Sequence, residues 1–292
     1  MTRQMFNGIA RRLEDTFPGR CAGSFLALRG IDRAMVIASQ ALTALIPLLL
    51  LVSTLAPANR RDVVAQGLVR RFELSGNAAE AVSEVFARPA GGSSIGVLSV
   101  AILVFSAMSL ARRVQRLYQD AWQLAPLGGV RGRLTTFVGL GALLLQIALL
   151  YLARSAVRAM PMDRLLSVTA SILIGVVLWI CVPWLLLDGR VHWRRLVPSG
   201  VLVSVCSAFY TSASTIYMPR MMETNSERYG LFGVTLALVG WLLCISLILV
   251  IATVVGAEFD RSQGRLARRV RSWLGTDAHP GQAFSPIKDE VA

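Results

Sequence analysis

Lysine is almost missing from this chain: of its thirty basic residues only Lys288 is one. Histidine is nearly as scarce, with His192 and His279 the two present. Metal-dependent cleavage of nucleic acid needs clustered histidine and carboxylate side chains to hold metal and activate water. No HxHxDH run occurs, and Asp188 and His192, four apart, stand among arginines. A Walker motif, a nucleophile elbow and paired carboxylates within an apolar run are also missing. These absences argue against an enzyme, a metal centre or a bound cofactor. Cysteine is limited to Cys21, Cys181, Cys206 and Cys244, without a CxxC pair. Three of the four lie in apolar runs, which reads as small packing residues rather than a disulfide framework or zinc site.

Charge is short as well. Only 16% of the 292 residues are charged, whereas a soluble domain carries roughly a quarter. What fills the space is apolar: 54% of residues, with a mean hydropathy of +0.58. The pattern is that of a polytopic membrane protein. A formal net charge of +13 raises the question of nucleic acid. The arginines, however, gather at the ends of apolar segments, where they set topology and meet anionic lipid headgroups. Membrane lipids are therefore the expected partners, nucleic acid is not, and self-association into a homo-oligomer is compatible with the sequence.

Six blocks are long enough to cross a bilayer as helices, at about 34–56, 94–111, 134–153, 165–187, 196–217 and 231–257. The expected fold is all-α. A cytoplasmic N-terminal segment (1–33) leads into a six-helix transmembrane domain (34–257), followed by a basic helix and disordered tail (258–292). With the N-terminus inside, twenty basic residues fall on inside segments and ten on outside ones. That bias puts both termini on the cytoplasmic side. The outer loop 57–93 offers Val64, Leu68 and Phe72, then Val82, Val85 and Phe86, and reads as a helical hairpin. Phe6, Ile9, Leu13 and Phe17 share one helical face, as do Leu266, Val270, Trp273 and Leu274. Both stretches fit amphipathic helices lying in the membrane interface.

Hydroxyls are unexpectedly dense in one apolar block. Residues 206–217 read CSAFYTSASTIY, and seven of the twelve bear one. Ser204, Ser207, Thr211 and Thr215 fall within an arc of about 80° on a helix. Two readings account for such a stripe. Small polar residues let helices approach closely and bond across the seam, typically for about 0.6 kcal/mol each. Alternatively the stripe walls a polar cavity. In the first block, Ser39, Gln40, Thr43 and Pro47 cover about 100° of one face. A glutamine amide in hydrocarbon requires partners, and a proline frees a carbonyl one turn earlier. Glu258 closes the last apolar run in VVGAEFDR. It is either a functional carboxylate at the membrane boundary or an end-of-helix residue paired with an arginine such as Arg194 or Arg195. Together the two polar faces suggest a cavity between the first and fifth spans. The function to expect is that of a transporter or flippase-like protein for a lipid or other amphipathic envelope molecule. A non-transporting scaffold for envelope machinery is the rival.

Several stretches also resemble the YihY/BrkB family of bacterial inner-membrane proteins, once labelled ribonuclease BN-like. They are ASQALTALIPLLLL, SIGVLSVAILVFSAMSLARRVQRLYQDAW, RRLVPSG, YGLFGVTLALVGWLL and GAE, in that order between residues 25 and 262. The resemblance implies six transmembrane helices with both termini cytoplasmic. It also implies that span two runs on into a cytoplasmic helix ending at Trp122. It carries over Pro47, Trp122, Pro198, Gly200, Tyr229, Gly230, Trp241, Gly256 and Glu258 as motif positions. Members of that family have a tyrosine eight residues before the first-span proline, where this chain has Ser39. Members are linked to envelope integrity and to movement of lipid-like molecules.

Overall fold

The computed structural model describes residues 16–55, 92–126, 164–229 and 231–262, together with a few single positions between 134 and 141 and between 264 and 272. Among the described residues there are helices and turns but no strand. The helices are α1 (Phe17–Ala27), α2 (Gly30–Leu55), α3 (Gly92–Ala121), α4 (Arg164–Leu186), α5 (Trp193–Tyr229) and α6 (Leu231–Arg261). The third apolar block is represented by Leu134, Phe137, Val138 and Gly141, all exposed, of which the first three are large apolar side chains. The outer hairpin, the N-terminal face from Phe6 to Leu13 and the tail lie outside the described residues.

α1 was not foreseen as a separate helix, although its start is written in the sequence. The Thr16 hydroxyl accepts the Gly19 amide at 3.3 Å, and Pro18 sits in the first turn. Both are ordinary helix-start devices. α1 ends at Leu28, and Arg29 turns the chain with φ at +49° before α2 begins at Gly30. A side chain at position 30 would run into the Phe25 ring, which explains the glycine.

α3 passes without a break from its apolar half through Arg112, Arg113 and Arg116 to Ala121. It closes with Gln123 at φ +55° and a 2.8 Å bond from the Leu124 amide to the Gln119 carbonyl, a Schellman-type stop. α4 runs through Pro183 without interruption. α5 is longer than its apolar block: it continues past residue 217 through RMMETNSERY to Tyr229.

α6 is the hub. It packs along α5 and α2, and makes smaller contacts with α1 and α3, while α4 packs on α5 and touches α3. α2 runs opposite to α3 and α6, and α5 opposite to α4 and α6, so one end of the bundle gathers the start of α2, the ends of α3, α4 and α6, and the start of α5. Leu117, Tyr118, Leu186, Leu187, Leu196 and Val250 are fully buried there.

The faces turned away from this core are apolar. Phe105, Phe209, Ile216 and Phe232 are 67–73% exposed. Exposed apolar side chains in such number have no place in water and fit a lipid surroundings. Two stretches, Trp193–Met218 and Thr235–Arg261, are long and apolar enough to span a bilayer, and Gly175–Leu186 is a shorter apolar helix.

Candidate functional site

Among the described residues, the first-span helix α2 packs on α3 and α6, and the fifth-span helix α5 packs on α4 and α6. On α2, Ser39 and Thr43 are exposed and turn their hydroxyls back on their own helix. Ser39 donates to the Val36 carbonyl at 2.9 Å and Thr43 to the Ser39 carbonyl at 2.8 Å. Gln40 is half-buried. Pro47 is within α2, but its side chain lies outside the described ones, as does that of Thr215.

The stripe on α5 is largely a packing seam. Ser204 is buried against Gly175 of α4, where an added Cβ would stand 3.3 Å from its oxygen, and that oxygen has no hydrogen-bond partner. Ser207 and Thr211 are half-buried, and the Thr211 carbonyl accepts from Ser214 at 2.9 Å. The motif glycines serve the same close approach. A Cβ on Gly200 would lie 2.7 Å from Ile180, and one on Gly256 would lie 2.5 Å from Ser199 Cβ and 2.8 Å from its Cα. Pro198 and Trp241 are half-buried, the latter against Met218 and Ala237, and Tyr229 is exposed. Gly230 lies outside the described residues.

The polar chemistry converges instead at the arginine-rich end. Glu258, 6% exposed, is the hinge of a small network. Its Oε1 accepts from Ser24 Oγ at 2.6 Å and from Arg261 Nη1 at 2.8 Å, and its Oε2 lies 3.9 Å from Arg20 Nε. The partners are thus Arg261 and Arg20, not Arg194 or Arg195. They belong to α6 and α1, whereas Arg194 and Arg195 lie in the first turn of α5. Arg261 also donates to the Ala121 carbonyl, one of the orphan acceptors at the end of α3. Cys21 sits beside this network. Burial pushes its thiol pKa up, the Glu258 charge adds to that, and Arg20 opposes it.

Two adjoining hollows open here. The smaller, about 160 Å³, is bordered by Ser24, Gln123, Glu258 and Arg261. The larger, about 530 Å³, lies between the start of α2 and the end of α3. Both share Ala27, Leu28 and Asp120 as a dividing wall. That wall is fixed by Arg33, whose Nη2 meets Asp120 Oδ2 at 2.6 Å and whose Nε donates to the Leu28 carbonyl at 2.6 Å. Arg29, Arg33, Arg113 and Arg116 line the larger hollow with Asp32 and Asp120, a net charge of two positive. Its remaining wall is apolar, with Val36 and Ile37. Tyr118 and Trp122 stack at 5.7 Å, with Tyr118 fully buried and Trp122 packed against the hydrophobic core.

Sequence reasoning picked out Glu258 but missed these arginines. The signal was there: Arg113, Arg116 and Asp120 fall on one helical face, and Arg29 with Arg33 on the next. Among the described residues no group of His, Cys, Asp and Glu could hold a metal ion.

Comparison with known proteins fixes the wider context. Residues 23–273 match the family described as Virulence factor BrkB. The chain belongs to that family. The expected family relationship is thereby borne out, and this BrkB-family chain is a helical membrane protein. Two opsins, Opsin Rh4 of Drosophila melanogaster and of Drosophila virilis, share 35% identity over 78 residues and 34% over 77. Each alignment covers 26% of this chain and 20% of the opsin, so the chain spans about a fifth of the length of these curated relatives. No solved structure matches.

Proposed function

We propose that this BrkB-family protein is a six-span inner-membrane protein with cytoplasmic termini. In this reading it moves an amphipathic envelope molecule between leaflets or out of the cytoplasmic one. The observation that carries the reading is the 530 Å³ cleft, lined by arginines on both walls and by Val36 and Ile37, at the end of a bundle whose outer faces are apolar. Its volume lies within the range of small-molecule sites, about 300–1,000 Å³. In this reading the path begins in this cleft, beside the start of α2 and the end of α3. The Glu258 network, which ties α1 and α3 to α6, is the part whose rearrangement would widen the way inward. Binding and transport account for these features without a catalytic step, so no enzymatic activity is assigned.

The alternating helix directions and the arginine-rich end support the topology, since basic residues favour the cytoplasmic side. The experiment is movement of a fluorescent phospholipid across the bilayer of vesicles reconstituted with the full chain. Wild type should accelerate it over protein-free vesicles, and Val36→Trp, which fills the cleft without altering charge, should abolish the acceleration while the protein remains folded. Equal rates for wild type and empty vesicles would favour a scaffold instead.

A further inference from the structure

Three guanidinium groups in the larger cleft, those of Arg29, Arg113 and Arg116, have no carboxylate at salt-bridge distance among the described residues. Arg33 is different, because Asp120 and the Leu28 carbonyl already hold it. Asp32 lines the cleft without neutralising it. Arg29 also occupies a left-handed backbone position, φ +49°, where a side chain costs about 1–2 kcal/mol and glycine would be free of strain. A strained, charged residue at the lip of a cleft calls for a reason beyond folding.

Two further features define the ligand. Guanidinium groups engage phosphate oxygens through paired hydrogen bonds, which an ammonium cannot do, and this chain is almost lysine-free. On α2 the charged lip gives way to Val36 and Ile37 inside the cleft, with Ile31 and Met35 about half exposed on the same helix. A free anion would satisfy the first feature and leave the second unused.

We infer that this cleft binds the phosphate group of an anionic phospholipid. Arg29, Arg113 and Arg116 hold the headgroup, and Val36 and Ile37 meet the first carbons of an acyl chain. Basic pockets between membrane helices take anionic headgroups in this way. The inference deepens the proposed function by naming its substrate class, but the binding site does not require that transport follow.

The test is binding of fluorescent phosphatidylglycerol to the purified full chain in neutral detergent, with phosphatidylcholine and inorganic phosphate as comparison probes. Phosphatidylglycerol should bind at least about tenfold more tightly than phosphatidylcholine. Arg113→Gln with Arg116→Gln should lose about that factor for phosphatidylglycerol and leave phosphatidylcholine unchanged. Arg112→Gln, which alters an exposed arginine outside the cleft, should change neither. Arg29→Gly should weaken phosphatidylglycerol binding without lowering the melting temperature, so that loss of binding is separated from loss of fold. Equal affinity for the two lipids, or unaltered binding in the double variant, would overturn the inference. Displacement of phosphatidylglycerol by an equal concentration of inorganic phosphate would overturn the lipid assignment. Headgroup binding without lipid movement in vesicles retires the transport reading and leaves the site standing. Movement undiminished in the double variant does the reverse.

Discussion

Ser24 and Glu258, 234 residues apart in the chain, meet through a 2.6 Å hydrogen bond at the arginine-rich end of the bundle. The bond closes α1 onto the end of α6, and Arg261 extends the same carboxylate to the last carbonyl of α3. Three helices are thus held by one buried charge.

Removing that charge should loosen all three. Glu258→Ala leaves Arg261 and Ser24 without their acceptor and should cost about 1.5–3 kcal/mol, the usual range for hydrogen bonds to a charged group. Glu258→Gln keeps an acceptor for Ser24 and should cost less. Thermal unfolding of the two variants in detergent measures the difference. Equal loss would mean that a neutral acceptor restores nothing and that the stabilisation rests on the charge.

Cys21 reports on the same network. The negative charge of Glu258 disfavours the thiolate and so raises the Cys21 pKa, second to the effect of burial. Glu258→Gln lifts that contribution, the pKa falls, and the thiolate fraction at a fixed pH below it increases. Maleimide labelling of Cys21, with Cys181, Cys206 and Cys244 replaced by serine, should therefore speed up in Glu258→Gln. Ser24→Ala, which frees α1 but keeps the charge, should leave the rate close to wild type.

Helix packing at Gly256 is intolerant of bulk. Its added Cβ would press on the Ser199 backbone of α5, which cannot give way as a flexible side chain can. Gly256→Ala should destabilise by about 1–3 kcal/mol. Gly240→Ala on the same helix meets nothing within 4 Å and should be neutral or slightly stabilising. Melting temperatures of the two variants provide the comparison.

Ser204 gives the opposite result to a cavity-lining hydroxyl. Its oxygen is buried without a partner against Gly175, so Ser204→Ala removes an unsatisfied group and should leave stability unchanged or raised. Lipid movement in vesicles should also be unchanged. Ser204→Leu, by contrast, drives α4 away from α5 and should lower the melting temperature.

What could be read from the residues follows from where the physics is local. The apolar run of α6, the passage of α3 from VLSVAILVF into RRVQRLYQDA, and the boundary position of Glu258 all depend on composition within one helix. Thr16 with Pro18 marks α1 just as locally, but the helical face drawn from Phe6 to Phe17 obscured that start. The packing of α6 on both α2 and α5 is a different matter. Helix order around a bundle is set by long-range packing at glycines such as Gly200 and Gly256, and no periodicity within a single span encodes it. For the same reason Ser204 and Thr43 looked alike as hydroxyls, although one is buried against Gly175 and the other lies on an exposed helix face. The arginine cleft was invisible because its two walls, around Arg29 and Arg113, lie more than eighty residues apart.

The central claim is that the amphiphile enters between α2 and α3, and not along the hydroxyl stripe of α5. Photo-crosslinking of phospholipid from a probe placed at position 36, compared with one at position 207, tests it most directly. The account predicts strong lipid labelling from position 36 that is lost with Arg113→Gln and Arg116→Gln, and weak labelling from 207 that those changes do not affect. Labelling confined to position 207, or labelling at 36 indifferent to the arginines, would contradict it.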